Sequence, residues 1–308
     1  MRRISVKLTR IMLLSWVFLI FISMPQVAAA SHPDPSPDMR HASSAMHHTL
    51  RLFETEYGPE KAERLTELKQ ELVSRGHSET TVIELLSGAR LNERVAELFQ
   101  RNLLRSTDSG EVSYEDFARR IGLDQLKADS HPFAEEHKEE LLAAEAEYGV
   151  DFRYIVAIKG IETRYGERTA QGDYNLLNSL VTQFVLSNRR SFSVRQLDAV
   201  LQLNDQYDAQ IHRFNGSFAG AIGVAQWMPF SLLHYGVMES IDDITSTRKM
   251  IPSTANYLRE NGWRPSLNGQ PVTQGSPNWR SILRYNRSQT YVRVVTEIAE
   301  QLDRPADR

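Results

Sequence analysis

Glu162 is the residue of this sequence best placed to act as an acid. It lies in the segment AIKGIETRYGER, residues 157–168, whose apolar spacing predicts a helix. On a helix, Ile155, Ile158 and Glu162 lie on one face, because residues three and four apart are neighbours. A carboxyl group on an otherwise buried stripe loses solvation, which raises its pKa from about 4.3. A glutamate with a pKa of about 6–7 can act as a general acid at neutral pH.

The same glutamate also has a purely structural interpretation. Lys159 lies three residues earlier in the chain and could form an ion pair with Glu162 on a solvated helix face. Glu162 would then contribute a little stability and no chemistry. If Lys159 instead faces a buried Glu162, its positive charge stabilises the carboxylate and opposes the rise in pKa.

A second segment, residues 215–230, carries groups suited to a flat polar ligand. Its sequence, NGSFAGAIGVAQWMPF, places small residues beside Ser217, Gln226 and several aromatic side chains. Small residues let a ligand approach the backbone closely, and hydroxyl and amide groups beside aromatic rings suit a sugar. A turn that only packs helices together explains the same glycines. The segment does not have the sequence pattern of a phosphate-binding loop.

A third segment, residues 282–295, has the sequence ILRYNRSQTYVRVV. Tyr285 and Asn286 interrupt an otherwise amphipathic pattern. The Asn286 side chain offers both a donor and an acceptor, as the acetamido group of a saccharide requires. A buried Asn286 that caps the backbone at Ser288–Gln289 is an equally good account of this residue.

Helices must position these segments, because helical spacing dominates the chain and few stretches alternate in the manner of strands. Ser78 is expected to cap one helix, and Asp151 the helix that carries Glu162. The chain has 308 residues, enough for one large domain or two small ones. Its net charge of −3 gives no basic field for nucleic acid. The sequence therefore predicts a mainly α protein that does not bind nucleic acid.

The N-terminal residues have the layout of a secretory signal peptide. Basic residues open the chain, an apolar run occupies residues 11–24, and Ala28 and Ala30 offer the small side chains of a cleavage site. A membrane anchor is the alternative, although a spanning helix needs about 20 apolar residues. Residues 1–30 are thus expected to be a signal peptide. The Pro-, Ser- and Asp-rich residues 31–45 are expected to form a flexible linker.

The three segments together resemble the membrane-bound lytic transglycosylase B family of peptidoglycan enzymes. The motifs IETRYG, GSFAGAIGVAQWMP and YNRS carry the resemblance, with NRR at 188–190 and ANYLRENGW at 255–263. The likeness extends over about residues 65–300. It implies a lysozyme-like α+β catalytic core over residues 131–308, with an added N-terminal helical lobe over residues 46–130.

The resemblance also implies an activity and a set of site residues. The family cleaves the β-1,4 bond from N-acetylmuramic acid to N-acetylglucosamine and leaves a 1,6-anhydromuramyl end without water. Glu162 would be the single catalytic acid and base. Arg189 and Arg190 would hold the carboxylates of the stem peptide, because a guanidinium group can bind a carboxylate through two hydrogen bonds. The residues implied to contact the glycan are Ser217, Gln226, Tyr257, Tyr285 and Asn286.

This chain departs from the family pattern in places. Residues 234–250 lack the alternating Asp or Asn ligands and central Gly of a calcium loop, so no metal and no cofactor is expected. Relatives tend to have an apolar or small residue where Lys159 stands. An aromatic residue that relatives bring into the cleft from the N-terminal lobe corresponds to either Tyr114 or Phe117. Because the chain has no cysteine, a soluble periplasmic form without a lipid anchor is expected.

Two other functions stay open from the sequence. One keeps the fold and substitutes hydrolysis of the lysozyme type on the same glycan. The other is a non-catalytic peptidoglycan-binding protein, although a binding module does not need an acid at Glu162. The expected partners are peptidoglycan glycan strands, with cell-wall synthesis or remodelling proteins as a second class, and the expected state is a monomer.

We predict that the signal is cut after Ala30. The reason is the short apolar run followed by Ala28 and Ala30. N-terminal sequencing of the exported protein should therefore begin at Ser31. Recovery of a chain that begins at Met1 in the membrane fraction would contradict this prediction.

Overall fold

The computed structural model describes residues 37–108, 113–166 and 172–303. Over these residues the chain forms fourteen α-helices, three short 3-10 helices and one small antiparallel pair of strands. The prediction of a mainly α protein is confirmed. No helix of the described part is long and apolar enough to cross a membrane. The signal peptide expected over residues 1–30 lies outside the described residues.

The helix and strand bounds follow the chain in order. The first seven helices are α1 Pro37–Tyr57, α2 Pro59–Ser74, α3 Glu79–Leu86, α4 Glu93–Asp108, α5 Tyr114–Ile121, α6 Leu123–Glu136 and α7 Lys138–Tyr148. The other seven are α8 Phe152–Thr163, α9 Leu176–Leu186, α10 Arg190–Tyr207, α11 Pro229–Tyr235, α12 Met250–Glu260, α13 Pro277–Tyr285 and α14 Gln289–Glu300. The strands are β1 Tyr174–Asn175 and β2 Asn215–Gly216, and Tyr174 pairs with Gly216.

Capping residues fix the start of the helices that the sequence predicted. The Ser78 hydroxyl accepts the backbone N–H of Thr81 at 3.1 Å and so caps α3. The Asp151 carboxylate accepts the N–H of Arg153 at 3.2 Å and caps α8. Both contacts satisfy backbone donors that have no partner within the helix. Both predicted caps are confirmed.

One hydrophobic core joins the first three helices to α9, α10 and α11. Fully buried side chains such as Phe53, Leu68, Leu180 and Leu197 meet there. The N-terminal helices therefore share their core with the middle of the chain. Trp227, from the glycine-rich segment, belongs to this same core.

A second core encloses α8. It combines α6, α7 and α8 with α12, α13 and α14, through residues such as Leu126, Ile155, Ile158 and Val295. Every residue of α8 from Tyr154 to Gly160 is buried, so the helix has no solvated face along this stretch. A helix that is apolar on all sides is typical of a central position in a fold.

The prediction of a flexible linker over residues 31–45 is wrong from residue 37 onward. Helix α1 begins at Pro37, and Ala42, Met46 and Phe53 lie on its buried side. Their spacing of four and seven residues places them on one helix face. The Pro, Ser and Asp content favoured a loop, but a proline fits the first turn of a helix and tertiary packing then extends it.

The chain also does not divide between residues 130 and 131, where a lobe boundary was expected. That point lies inside α6 (Leu123–Glu136), which continues because Leu126, Ser130 and Phe133 are all buried on one side. The helix even accommodates Pro132 in its interior. The hydrophobic side chains group α6 with α8 and α14, and not with α1–α3.

We predict that the start of α1 contributes to stability. Met46 is buried, so Met46→Ala should lower the free energy of unfolding by about 2–5 kcal/mol. The neighbouring His47 is exposed, and His47→Ala should change it by less than about 0.5 kcal/mol. Denaturant unfolding of the two variants measures the difference. Equal stabilities for the two would mean that this part of α1 does not pack as described.

Candidate active site

Glu162 lies in the last turn of α8 (Phe152–Thr163), just beyond the fully buried stretch that ends at Gly160. Its Oε1 atom accepts a hydrogen bond from the Tyr291 hydroxyl at 2.8 Å. Tyr291 comes from the first turn of α14, 129 residues away in the chain. The carboxyl end of a helix carries partial negative charge, so this position adds to the cost of a charged Glu162.

Burial raises the pKa of Glu162 above its ordinary value. The hydrogen bond from Tyr291 and the positive charge of Lys159 both act in the opposite direction and do not outweigh burial. A raised pKa keeps more of the side chain protonated at neutral pH. Glu162 therefore has the property that a general acid needs.

A second glutamate that accepts a hydrogen bond from a tyrosine, Glu297, shows that such a bond does not by itself give a raised pKa. Burial also acts to raise the pKa of Glu297, but the Tyr114 hydroxyl, Lys127 and Arg293 outweigh it and the pKa is lowered. Tyr114 donates to both carboxylate oxygens at 2.7 Å, and Lys127 Nζ lies 3.0 Å from Oε2. Glu297 is an ordinary paired carboxylate. Of these two glutamates, Glu162 is the one that combines a tyrosine donor with a raised pKa.

The contacts of Glu297 also bear on the residue expected from the N-terminal lobe. The Tyr114 hydroxyl is bonded to Glu297, and the Arg293 guanidinium lies 3.6 Å from the centre of its ring. The Phe117 ring packs on the second core and lies 5.4 Å from the guanidinium carbon of Arg120. Within the described residues, the tyrosine hydroxyl that donates to Glu162 is that of Tyr291 and not that of Tyr114.

The backbone turns sharply immediately after Glu162. Arg164 and Tyr165 both have positive φ angles, 49° and 58°, which are uncommon for residues with a side chain. The Tyr165 ring folds back over Gly160, where an added Cβ would lie 2.4 Å from the tyrosine oxygen. Its hydroxyl donates to the Leu126 carbonyl at 2.8 Å. These contacts fix the end of α8 and hence the position of Glu162.

Aromatic side chains form a wall beside Glu162. The Tyr285 and Tyr291 rings are nearly parallel, with centroids 6.5 Å apart, and Tyr257 meets Tyr285 edge-on at 4.9 Å. The Trp227 indole N–H donates to the Tyr285 oxygen at 2.7 Å. Burial, with the charge of Glu162, raises the pKa of both Tyr285 and Tyr291 well above the ordinary value. Their hydroxyl groups therefore stay protonated near neutral pH.

The sequence did not single out Tyr291, although its hydroxyl donates a hydrogen bond to Glu162. It follows Tyr285 by six residues in the third segment. Trp227 was noted only as one of several aromatic residues. The single available signal was the density of tyrosines around residue 288, and a contact between distant helices is not visible in local spacing.

The glycine-rich segment forms two tight turns beside this wall. The Ser217 hydroxyl accepts the N–H of Ala221 at 3.0 Å, which closes the first turn. Ile222 and Trp227 exchange backbone hydrogen bonds across the second. Gln226 lies in that turn with a φ of 49°, and its side-chain amide donates to the Gly223 carbonyl at 3.0 Å. The segment thus places Ser217 and Gln226 on loops that adjoin Trp227.

Asn286 is exposed, immediately after the end of α13. It is not the buried cap that the sequence left open. The cap of α14 is Ser288, whose hydroxyl accepts the N–H of Tyr291 at 3.2 Å. The Asn286 backbone carbonyl accepts from the N–H of Ser288 at 2.8 Å, and its side chain lies at the surface.

The two adjacent arginines have different surroundings. Arg190 forms an ion pair with Glu67 on α2, 2.9 Å apart. Arg189 lies over the Phe192 and Phe99 rings at 4.1 and 5.3 Å. Only Arg189 lines a cavity of about 530 Å³ that also contains Phe99 and Phe218. Within the described residues, no carboxylate forms an ion pair with Arg189.

Asp198, Asp205 and Asp208 lie between the first two motifs, and none of the three acts on the pKa of Glu162. Asp198 on α10 accepts from His77 at 2.7 Å. Asp205 and Asp208 line a separate cavity between α1, α3 and α10. Among the described residues, no second carboxylate acts on the pKa of Glu162.

Lys159 is buried, with 1% of its surface exposed. Its Nζ atom has no hydrogen-bond partner among the described residues, and it lies more than 4.0 Å from the Glu162 carboxylate. The simple ion pair on a solvated face is therefore not what the structure contains. Burial lowers the pKa of Lys159 to about 7, and the charge of Glu162 opposes that change.

The segment over residues 234–250 uses its carboxylates locally. Asp243 accepts the backbone N–H of Glu239 at 2.9 Å, and Glu239 forms an ion pair with Lys249 at 3.1 Å. The described residues contain no group of three or more His, Asp or Glu side chains able to hold a metal ion. The absence of a metal and of a cofactor stays a prediction.

Fold and site together describe a mainly helical protein in which an acid with a raised pKa lies beside a wall of aromatic side chains. The family described as Transglycosylase SLT domain matches residues 60–274, and the chain belongs to this family. It is 34% identical over 136 residues to membrane-bound lytic murein transglycosylase B of Escherichia coli strain K12. That match covers 42% of this chain and 37% of the relative, so the chain spans little more than a third of its length.

Solved structures share the fold. The soluble lytic transglycosylase SltB1 of Pseudomonas aeruginosa is 23% identical, with a TM-score of 0.65 over 77% of this chain and 97% of that one. SltB3 of the same organism, in complex with NAG-NAM-pentapeptide, is 23% identical, with a TM-score of 0.63 over 78% of this chain and 79% of that one. An Escherichia coli lytic transglycosylase in complex with calcium is 22% identical, with a TM-score of 0.63 over 77% of this chain and 91% of that one. The expected fold class, with its lysozyme-like catalytic core, is confirmed.

We predict that Tyr291→Phe destabilises the protein more at pH 8 than at pH 4. The hydroxyl stabilises the charged form of Glu162, so its loss raises the pKa further. A carboxyl group whose pKa is higher in the folded protein than in the unfolded protein favours folding while it is protonated. This contribution to stability is fully present below the pKa of the unfolded state, and it is lost as pH rises through the pKa of the folded state. The additional loss at pH 8 should be about 1–3 kcal/mol.

Denaturant unfolding at the two pH values measures this difference. Tyr257→Phe is the matched control, because its hydroxyl donates to the Arg284 carbonyl at 2.8 Å and not to a carboxyl group. Its effect should be the same at both pH values. A pH-independent effect of Tyr291→Phe would show that the hydroxyl does not act on the charge of Glu162.

Proposed function

We propose that this protein is a lytic transglycosylase of peptidoglycan. It cleaves the β-1,4 bond from N-acetylmuramic acid to N-acetylglucosamine and leaves a 1,6-anhydro-N-acetylmuramic acid end. The observation that carries this proposal is Glu162, a carboxyl group with a raised pKa beside an aromatic wall, with no second carboxylate acting on it among the described residues. Membership of the transglycosylase family supports the same chemistry.

In the first half of the reaction Glu162 acts as an acid. Its proton moves to the glycosidic oxygen as the bond from that oxygen to the anomeric carbon breaks. Positive charge develops on the sugar, and Glu162 becomes a carboxylate. The Tyr291 hydroxyl, 2.8 Å from Oε1, stabilises this carboxylate as it forms, because hydrogen bonds to charged acceptors are stronger than those to neutral ones.

In the second half the same carboxylate acts as a base. It takes the proton of the muramyl 6-hydroxyl while that oxygen bonds to the anomeric carbon. The nucleophile belongs to the substrate and is already held in place, which replaces a bimolecular step by an intramolecular one. Ordinary glycosidases need a second carboxylate to activate water or to form a covalent intermediate. An enzyme with one carboxyl group is consistent with the anhydro product.

The glycan lies against the aromatic wall in this proposal. Tyr257 and Tyr285 offer apolar faces, and their hydroxyl groups stay neutral, because burial raises the pKa of Tyr257 to about 12. The exposed side chain of Asn286 is available to an acetamido group. Ser217 and Gln226, on the turns next to Trp227, contact the sugars near the bond that breaks.

Arg189 is the residue that we assign to the stem peptide. It lines the cavity with Phe99 and Phe218, and Phe218 directly follows Ser217 in the chain. A guanidinium group without a carboxylate partner among the described residues suits a peptide carboxylate. Arg190 does not share this role, because Glu67 already neutralises its charge. SltB3, which has the same fold, was solved with a NAG-NAM-pentapeptide.

We assign the protein to the periplasm, where peptidoglycan is accessible. The assignment depends on cleavage of residues 1–30. Glycan strands are the proposed partner, with cell-wall synthesis or remodelling proteins as further partners of a monomeric enzyme.

We predict that Glu162→Gln abolishes turnover and preserves the fold. The amide keeps the size of the side chain but has no proton to transfer. Release of anhydromuropeptides from purified sacculi should fall by a factor of at least ~10²–10⁴. Binding to sacculi should remain, because Ser217, Gln226 and Asn286 are unchanged. Mass spectrometry of the released products and a sedimentation assay with sacculi measure the two effects.

Glu297→Gln is the matched control. It is also a glutamate that accepts from a tyrosine hydroxyl, but its pKa is lowered and it lies outside the proposed site. This variant should release anhydromuropeptides at nearly the wild-type rate. Wild-type release by Glu162→Gln would end the catalytic interpretation of Glu162.

A further inference from the structure

A cavity of about 530 Å³ lies beside α14, and the proposed mechanism does not use it. We call it the α14 cavity. Tyr114 at the start of α5 and Trp279 on α13 line it, together with Val272 and Gln274 from the loop before α13. Its volume is within the range of about 300–1,000 Å³ that small-molecule sites occupy. The cavity is therefore large enough to hold a ligand.

The α14 cavity and the aromatic wall lie on opposite faces of α14. Gln289, Arg293, Thr296 and Glu300 line the cavity, and their spacing of four, three and four residues places them on one helix face. Tyr291, which donates to Glu162, is two residues from both Gln289 and Arg293. Residues two apart on a helix do not face the same way. The cavity is thus separate from the candidate active site.

Tyr114 and Trp279 give the α14 cavity half-buried aromatic rings. The indole N–H groups of Trp227 and Trp263 donate to other side chains at 2.7 and 2.9 Å. The indole N–H of Trp279 has no acceptor among the described residues, and the donor that this residue uses is its backbone N–H. Because the indole N–H of a buried tryptophan usually has a partner, this donor is left for solvent or a ligand.

Amide and hydroxyl groups lie beside these rings. Gln274 Nε2 donates to Gln289 Oε1 at 3.2 Å, and Thr296 is also part of the lining. An amide NH₂ group has two donors, so the exposed Gln274 can bond to a ligand as well as to Gln289. Aromatic rings with a few polar groups beside them suit a sugar.

The charged residues of the α14 cavity disfavour an anionic ligand. Arg293 is the cation of the lining, and its Nε atom lies 3.4 Å from Glu297 Oε1. Glu300 adds a further negative charge. A carboxylate or a phosphate would therefore find only a cation that is already paired, and Glu300 would repel it. An uncharged polar ligand fits this lining better.

We propose that the α14 cavity is an accessory binding site for the uncharged N-acetylated sugar units of a glycan strand. The choice of a glycan rests on the proposed function, whereas the preference for an uncharged saccharide rests on the lining. One sugar ring packs its apolar face on Trp279, and its hydroxyl and acetamido groups bond to the indole N–H, Gln274 and Thr296.

The position of the cavity gives this site a role in retention on the sacculus. Exposed Asn286 lies three residues before Gln289, and Tyr291 lies two residues after it. The loop before α14 and its first turn therefore connect the cavity with the aromatic wall. Glycan held in the cavity raises the effective concentration of further glycan at the wall, as two linked binding sites do.

The test uses the indole signals of ¹⁵N-labelled Glu162→Gln protein, which binds glycan without cleaving it. The probe is chitotetraose, an uncharged β-1,4 tetramer of N-acetylglucosamine. The signal of Trp279 should shift and saturate during the titration. The signal of Trp227 reports on the aromatic wall, and that of Trp263, which donates to Asn268, should not move. An unmoved Trp279 signal would overturn the proposal.

Variants at the rim show whether the shift comes from the α14 cavity. In the same background, Gln274→Ala should weaken chitotetraose binding at the Trp279 signal by about 2–10-fold, the effect of one hydrogen bond. Thr273→Ala is the matched control, because Thr273 is exposed and next in the chain but does not line the cavity. It should leave the dissociation constant unchanged. Equal constants for the two variants would overturn the assignment.

Two further arms test the ligand class and the role. A free stem pentapeptide without sugar should not shift the Trp279 signal, and a saturable shift would overturn the preference for an uncharged ligand. With Glu162 intact, Gln274→Ala should raise KM for sacculi and leave kcat unchanged, and an unchanged KM would overturn the role in retention. If the wild-type protein releases no anhydromuropeptide, the proposed function fails, while the chitotetraose titration still decides whether the cavity binds a saccharide.

Discussion

The loss of solvation at the half-buried Glu162 side chain is the constraint on which the site depends. Charge at this point is costly, because α8 is enclosed and its carboxyl end adds partial negative charge. The hydrogen bond from Tyr291 and the nearby Lys159 reduce that cost without removing it. The result is an acid with a raised pKa that still has two groups ready to stabilise its anion. Glu297, with a similar tyrosine donor and two nearby cations, has the opposite property.

The arrangement of the cores explains the position of the aromatic wall beside Glu162. One core groups α1–α3 with α9–α11, and the other groups α6–α8 with α12–α14. Tyr257 and Tyr285 pack against both cores. The aromatic wall therefore stands where the two sets of helices meet, and the glycine-rich turns reach it through Trp227. Positioning of the aromatic wall and stability of the fold thus depend on the same side chains.

Local patterns were sufficient to predict the helix of Glu162, its Asp151 cap and the buried stripe through Ile155 and Ile158. They also gave the mainly α class. The contact of Tyr291 with Glu162 was not predictable, because it joins α8 to α14 across 129 residues. The different surroundings of Arg189 and Arg190 were not predictable for the same reason, because Arg190 pairs with Glu67, which is distant in the chain. Composition misplaced the start of α1, since burial of Ala42 outweighs the loop preference of the preceding residues.

The central claim is that one carboxyl group completes the reaction without water. Digestion of sacculi in ¹⁸O-labelled water, followed by mass spectrometry of the released muropeptides, tests it most directly. If the 6-hydroxyl is the nucleophile, the muramyl ends should carry no ¹⁸O and should be lighter by one water than the hydrolysed product. Reducing ends that incorporate one ¹⁸O atom would show that water attacks the anomeric carbon. That result would contradict the account and make the protein a hydrolase.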